Sequence, residues 1–151
     1  MRLRLGVGAA VLLVLLILVA CGSREGFEAT AISRGEFVAK ARAICSKGSE
    51  RIAAYYGRWG AKARRHADPE EFMNGVAERI VIPVRTAEVR EMRALGLPAA
   101  GKEKLEAFLK AIEEGIERGK EDRRSLRGGN YAFQKALDIA GEVGLMVCFV
   151  G

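Results

Sequence analysis

The chain has 151 residues, half of them apolar, with 25 Lys and Arg against 19 Asp and Glu, one histidine and three cysteines. That is the size of one ordinary domain, and it contains no internal repeat and no low-complexity segment. Two cysteines besides Cys21 and one distant histidine do not make a structural zinc site, and the formal charge of +6 is only mildly basic.

Met1-Arg2-Leu3-Arg4 is short and cationic, and no charge occurs from Leu5 to Ala20. Val11 to Leu18 is unbroken aliphatic sequence, and small residues follow. A positive start, an apolar run and a small-residue break have the layout of an export signal. The uncharged run from Leu5 to Cys21 sits at the lower limit for spanning a bilayer, so an uncleaved anchor is the competing reading. A buried soluble helix is a third.

Leu18-Val19-Ala20-Cys21 resembles the lipobox of bacterial lipoproteins. The resemblance covers only about the first 21 residues. It implies cleavage before Cys21, a diacylglyceryl group on its sulfur, and fatty acylation of palmitate type. On that reading, residues 1–20 are a signal peptide, 21–32 a lipidated cysteine with its tether, and 33–151 a helical domain. Two or three acyl chains hold a protein stably in a membrane where one does not, at about 0.8 kcal/mol per buried methylene. Removing Arg2 and Arg4 with the signal lowers Lys plus Arg from 25 to 23 against 19 acids, a net charge of about +4. Export makes anionic lipid or cell-wall polymer a more sensible polyanionic partner than nucleic acid, and no nucleic-acid partner is expected.

With Cys21 lipidated, Cys45 and Cys148 remain as an even pair in an oxidising compartment. A disulfide joining the first helix to the carboxyl end is the leading expectation, with two buried free thiols as the alternative. Closing a loop of that length contributes roughly 4 to 5 kcal/mol in the chain-entropy treatment.

Gly22 to Ile32 has no periodicity and reads as a tether. It spans roughly 36 to 40 Å when extended and about 15 to 20 Å as a coil. Ser33 with Glu36 three residues later fits a capping box. Phe37, Ala41, Ile44, Cys45, Gly48, Ile52, Tyr55, Tyr56 and Trp59 then mark one face of a helix, which frays between Gly60 and Ala67. Gly48 on that face admits a second helix closely.

Asp68-Pro69-Glu70-Glu71 opens the second helix with a capping carboxylate and a proline in the first turn. Its apolar stripe is Phe72, Val76, Ile80, Val84, Ala87 and Met92 or Leu95, and Pro83 predicts a kink or a short break. Leu95-Gly96-Leu97-Pro98 is a stop. A third helix is predicted from about Gly101 to Leu126, with Leu105, Phe108, Leu109, Ile112, Ile116 and Gly119 inward and mixed charge outward. A fourth starts near Asn130. The fold expected is all-α, an antiparallel four-helix bundle.

No nucleophile elbow, phosphate loop or metalloprotease motif occurs. His66 lies at a polar helix end with no second histidine to share a metal, and reads as an ordinary exposed side chain. Glu88 and Glu91, and likewise Glu113, Glu114 and Glu117, share helical faces. They stand among Lys and Arg and read as solvated surface charge rather than an acid/base pair. No catalytic residue, cofactor or metal site is expected.

Two features stand above this background. Arg51, Arg58, Lys62 and Arg65 step by seven, four and three and draw a basic stripe. Such a stripe is either a solvated face or a contact for a polyanion, with each cation worth about 1 kcal/mol beside a charged membrane. Tyr55, Tyr56 and Trp59 cluster with Ile52, either as core or as the wall of a pocket for an apolar ligand.

Phe37-x-x-x-Ala41-x-x-x-Cys45, paired with Gly144-Leu145 and Cys148, is similar to small uncharacterised bacterial lipoproteins with a helical exported domain and a cysteine pair. That resemblance implies the compartment, the bundle and the disulfide, and adds no site residue. The expected function is a non-enzymatic, membrane-anchored extracytoplasmic module that binds an envelope component or a protein. The alternative is a carrier or sensor holding a small apolar ligand between helices.

Overall fold

Ser33 and Asp68 set the amino ends of the first two helices. The Ser33 hydroxyl accepts the Glu36 amide at 3.2 Å, and the Asp68 carboxylate accepts the Glu71 amide at 2.9 Å. Each satisfies one of the donors that a helix start leaves without an internal partner. The computed structural model describes residues 31–127 and 131–149, which belong to a unit separate from Met1–Thr30. The export signal, Cys21 and all but the last two residues of the tether lie outside the described residues.

Among the described residues, four α-helices result: α1 (Arg34–Ala63), α2 (Pro69–Ala94), α3 (Lys102–Glu121) and α4 (Gln134–Val143). Short 3-10 turns occupy Arg123–Leu126, Tyr131–Phe133 and Met146–Cys148. Among the described residues there is no strand, so the fold is all-α, a helical bundle. α1 packs on α2, α2 on α3, and α3 on α4, while the last turn returns to α1. The core joins Phe37 of α1, Val84 and Met92 of α2, Phe108 and Ile112 of α3, and Phe133 and Leu145 from the carboxyl-terminal part. Each large apolar side chain of this kind stabilises by about 1.5 to 3 kcal/mol when fully buried.

Cys45 and Cys148 form a disulfide across 103 positions, with Cα atoms 4.6 Å apart. The return is fastened beside it. Arg42 Nε donates to the Gly144 carbonyl at 2.9 Å, and the Ser49 hydroxyl donates to the Val147 carbonyl at 3.4 Å. Gly144 ends α4 in the left-handed region (φ 78°), where a side chain would be strained. That reversal turns the chain back toward α1.

Three boundaries differ from the sequence expectation. α3 stops at Glu121, five residues early, because Asp122 takes an extended backbone and its carboxylate caps the Arg124 amide at 3.1 Å, starting a new turn. α4 begins at Gln134, after the turn at Tyr131–Phe133; Asn130 itself lies outside the described residues. Of the kink or short break expected at Pro83, the break does not occur. α2 runs through it, and Pro83 faces solvent, where water can serve the carbonyl that proline leaves without a donor.

Candidate interaction surface

Gly48 brings α1 and α2 together as its position on the apolar face implies. A Cβ there would collide with the Glu88 carboxylate and stand 3.0 Å from Val84 Cγ1. The space left by the missing side chain is filled by an acid. Glu88 is 2 % exposed and Arg85 6 %, and Arg85 Nη1 donates to Glu88 Oε2 at 2.7 Å. The guanidinium carbon lies 5.1 Å from the Phe149 ring centre and 5.9 Å from that of Phe133. Glu88 Oε1 and Arg85 Nε are buried without a hydrogen-bond partner among the described residues.

This overturns the reading of Glu88 as solvated surface charge, which holds for its exposed neighbour Glu91. Burial pushes the Glu88 carboxyl above its ordinary range and outweighs the Arg85 cation and its hydrogen bond, which act the other way. Glu91 adds to the rise, and Arg51 opposes it. Both side chains are buried between the helices, so the pair belongs to the core.

The charge of the domain is unevenly placed. Residues 33–67 hold nine Lys and Arg against two Glu, whereas α2 has four against five and α3 five against six. Along α1, Arg51, Arg58 and Lys62 are exposed, and Lys47, one turn before Arg51, extends the line. At 100° per residue, these four fall within an arc of about 60° and extend over about 22 Å. Arg65 follows just past the helix end and is also exposed. None of the five makes an ion pair with another described residue; on α1 the pair that forms is Lys40 with Glu36, at 2.7 Å.

Aromatic rings border this line. Lys62 Nζ stands 4.2 Å from the Trp59 ring centre, Trp59 lies 5.9 Å from Tyr55 and 6.0 Å from Phe72, and exposed His66 packs 4.6 Å from Phe72. Tyr55 and Trp59, with Phe72 and Val76 of α2, wall a groove of about 370 Å³ whose rim carries Arg79 and Arg123. Arg123 is held by Glu71 at 2.7 Å. Tyr56 does not line the groove. It is half-buried against the core, and that burial raises its hydroxyl pKa despite the opposing pull of Arg127.

A wider open groove of about 840 Å³ lies between α2 and α3, with Val89 and Ile116 among its lining and charges along the rim. Arg93 crosses between the two helices, donating to both Glu113 oxygens at 3.1 Å and to Glu106 at 3.0 Å. These bonds raise the pKa of its guanidinium, and the bidentate form fixes the pairing geometry. Glu114, which also lines this groove, is held below its ordinary range by its bond to Lys135.

Among the described residues, no group of three or more His, Cys, Asp and Glu is placed to hold a metal. No described helix is long and apolar enough to cross a membrane. Sequence periodicity located the basic stripe and the aromatic edge; it did not reveal the Arg85–Glu88 pair or Lys47. Comparison with protein-family models, with curated proteins and with solved structures finds no match for this chain.

Proposed function

We propose that this chain is a lipid-anchored extracytoplasmic protein whose helical domain is a non-enzymatic module for binding an envelope component or a protein partner. The observation that carries the compartment is the Cys45–Cys148 disulfide. Cross-links of this kind persist where thiols are oxidised, outside the cytosol, and the lipobox-like Leu18-Val19-Ala20-Cys21 supplies a route there and a reason to stay. A single small domain on a tether of 11 residues works close to the surface that holds it.

Metabolic labelling with a fatty acid, followed by intact-mass measurement of the purified chain, tests the anchor. The expected mass is that of a chain starting at Cys21 plus its acyl groups, and Cys21→Ser loses the label. Unprocessed protein with a free Cys21 thiol would refute the reading. Crosslinking in intact cells before purification then tests for the partner.

The groove between α1 and α2 favours a second reading, a carrier or sensor for a small apolar ligand seated against Tyr55, Trp59 and Phe72. Native mass spectrometry of protein from its own host checks it. A ligand of constant added mass, lost in a Trp59→Ala variant that still folds, supports it; bare protein in both excludes it.

A further inference from the structure

We infer that the exposed cationic ridge of α1, Lys47, Arg51, Arg58 and Lys62 continued by Arg65, lies down on an anionic lipid surface, so that the domain rests flat on its membrane rather than hanging free on its tether. This builds on the anchored reading above by naming the surface that the domain meets.

Three observations converge. First, the excess positive charge of the domain is gathered on α1 and the turn after it, and the ridge cations are left without acidic partners among the described residues. A ridge confined to about 60° of arc over about 22 Å presents its charges to one plane. Second, the ridge is edged by Tyr55 and Trp59, both half-buried, with Lys62 lying over the indole. Lys and Arg beside amphipathic aromatic rings are the composition of a helix lying in a membrane interface. A soluble polyanion needs only the charges; the aromatic edge favours the lipid. Third, on the anchored reading the 13 steps from Cys21 to Arg34 keep the start of α1 within about 45 Å of its anchorage. The ridge therefore meets the surface at high effective concentration, where individually weak contacts suffice. Each cation near such a surface changes the ratio of docked to undocked protein about fivefold.

Trp59 is the chain's sole tryptophan, so its emission reports this contact directly. The test reconstitutes the full chain into vesicles of brominated phosphatidylcholine, with and without phosphatidylglycerol. Quenching of Trp59 is expected in the anionic vesicles only, and it should relax as salt is raised. Arg51→Gln with Arg58→Gln leaves the Lys62–Trp59 stack in place and should lower the ratio of docked to undocked protein about 25-fold, with the helical circular dichroism unchanged.

Equal quenching with and without phosphatidylglycerol, or quenching indifferent to salt and to the two substitutions, overturns the inference. So does a Trp59 response to soluble polyphosphate but none to anionic vesicles. Sedimentation of the same samples separates the two proposals. Protein that stays with both vesicle types while Trp59 remains unquenched keeps the anchor and loses the ridge. Protein that pellets only with anionic vesicles, in low salt, keeps the ridge and loses the anchor.

Discussion

Arg85 and Glu88 sit one turn apart on α2 and share a 2.7 Å ion pair with both side chains buried. Removing two charges from water costs several kcal/mol each, and their attraction offsets this only in part. Glu88→Ala leaves the guanidinium buried without its anion, and the expected loss is about 3 to 5 kcal/mol in urea denaturation. Arg85→Met combined with Glu88→Leu removes both desolvation costs and should recover most of that loss. A double variant as unstable as Glu88→Ala would mean that the pair itself, not the uncompensated charge, sustains the core.

The same carboxyl sets a pH dependence. Its pKa in the folded chain is raised, chiefly by burial, so between the unfolded value of about 4.3 and the folded value the native state holds the proton more tightly. The stability gained from protonation is full below the unfolded value and is lost as pH rises through the folded one. The half-buried Glu114 and the exposed Glu142 are lowered by Lys135 and Lys104 and act oppositely. The contribution of Glu88 must therefore be isolated by difference. Denaturation of wild type and Glu88→Gln from pH 7 to pH 4.5 should show wild type gaining on the variant as pH falls. Wild type losing ground instead would show that Arg85 outweighs burial.

Gly48 is the third member of this arrangement, since its missing Cβ makes room for the Glu88 carboxylate. Gly48→Ala must displace a buried, ion-paired group, and overpacking of this kind costs typically 1 to 3 kcal/mol. Gly57, on the same helix, is exposed with nothing within 4 Å of an added Cβ. There the gain in helix propensity acts alone, and Gly57→Ala should stabilise by about 0.5 to 1 kcal/mol. Thermal melts of the two variants should move in opposite directions.

Most of the helical framework was legible because its signals are local. A capping Ser33 or Asp68 and a 3.6-residue apolar period act within one helix, and the structure keeps both starts. The end of α3 was missed because the inward stripe continues to Gly119 while the terminating event is the cap that Asp122 makes with Arg124, a competition that periodicity does not register. Glu88 was missed for another reason. It falls in step with Val81, Val84 and Met92, the true buried line of α2, but a charged type at such a position reads as surface unless its partner is known. The partner was one turn earlier in the sequence. What hid the pair is that nothing local marks where Gly48 of α1 will meet α2. The basic ridge was mostly visible, because exposure and helical spacing suffice to define it.

The Cys45–Cys148 link joins residues 103 positions apart, and its loss should be felt unevenly. In the chain-entropy treatment, constraining a loop of about 100 residues stabilises by about 4 to 5 kcal/mol, with measured values often smaller. Cys45→Ser should therefore lower the melting temperature and leave Cys148 as a thiol. The local effect is more diagnostic. Beyond Gly144, the hydrogen bonds to α1 are those from Arg42 to the Gly144 carbonyl and from Ser49 to the Val147 carbonyl, the second at 3.4 Å. These are weak ties, since a bond of this kind contributes about 1 kcal/mol net. In the variant, amide exchange should accelerate first in residues 144–149, while the α2–α3 interface, which the disulfide does not touch, keeps its protection until global unfolding. Uniform acceleration across all four helices would instead mean that the cross-link holds the whole bundle together. Rapid alkylation of both cysteines in unreduced native protein would remove the link altogether, and with it the main support for an oxidising compartment.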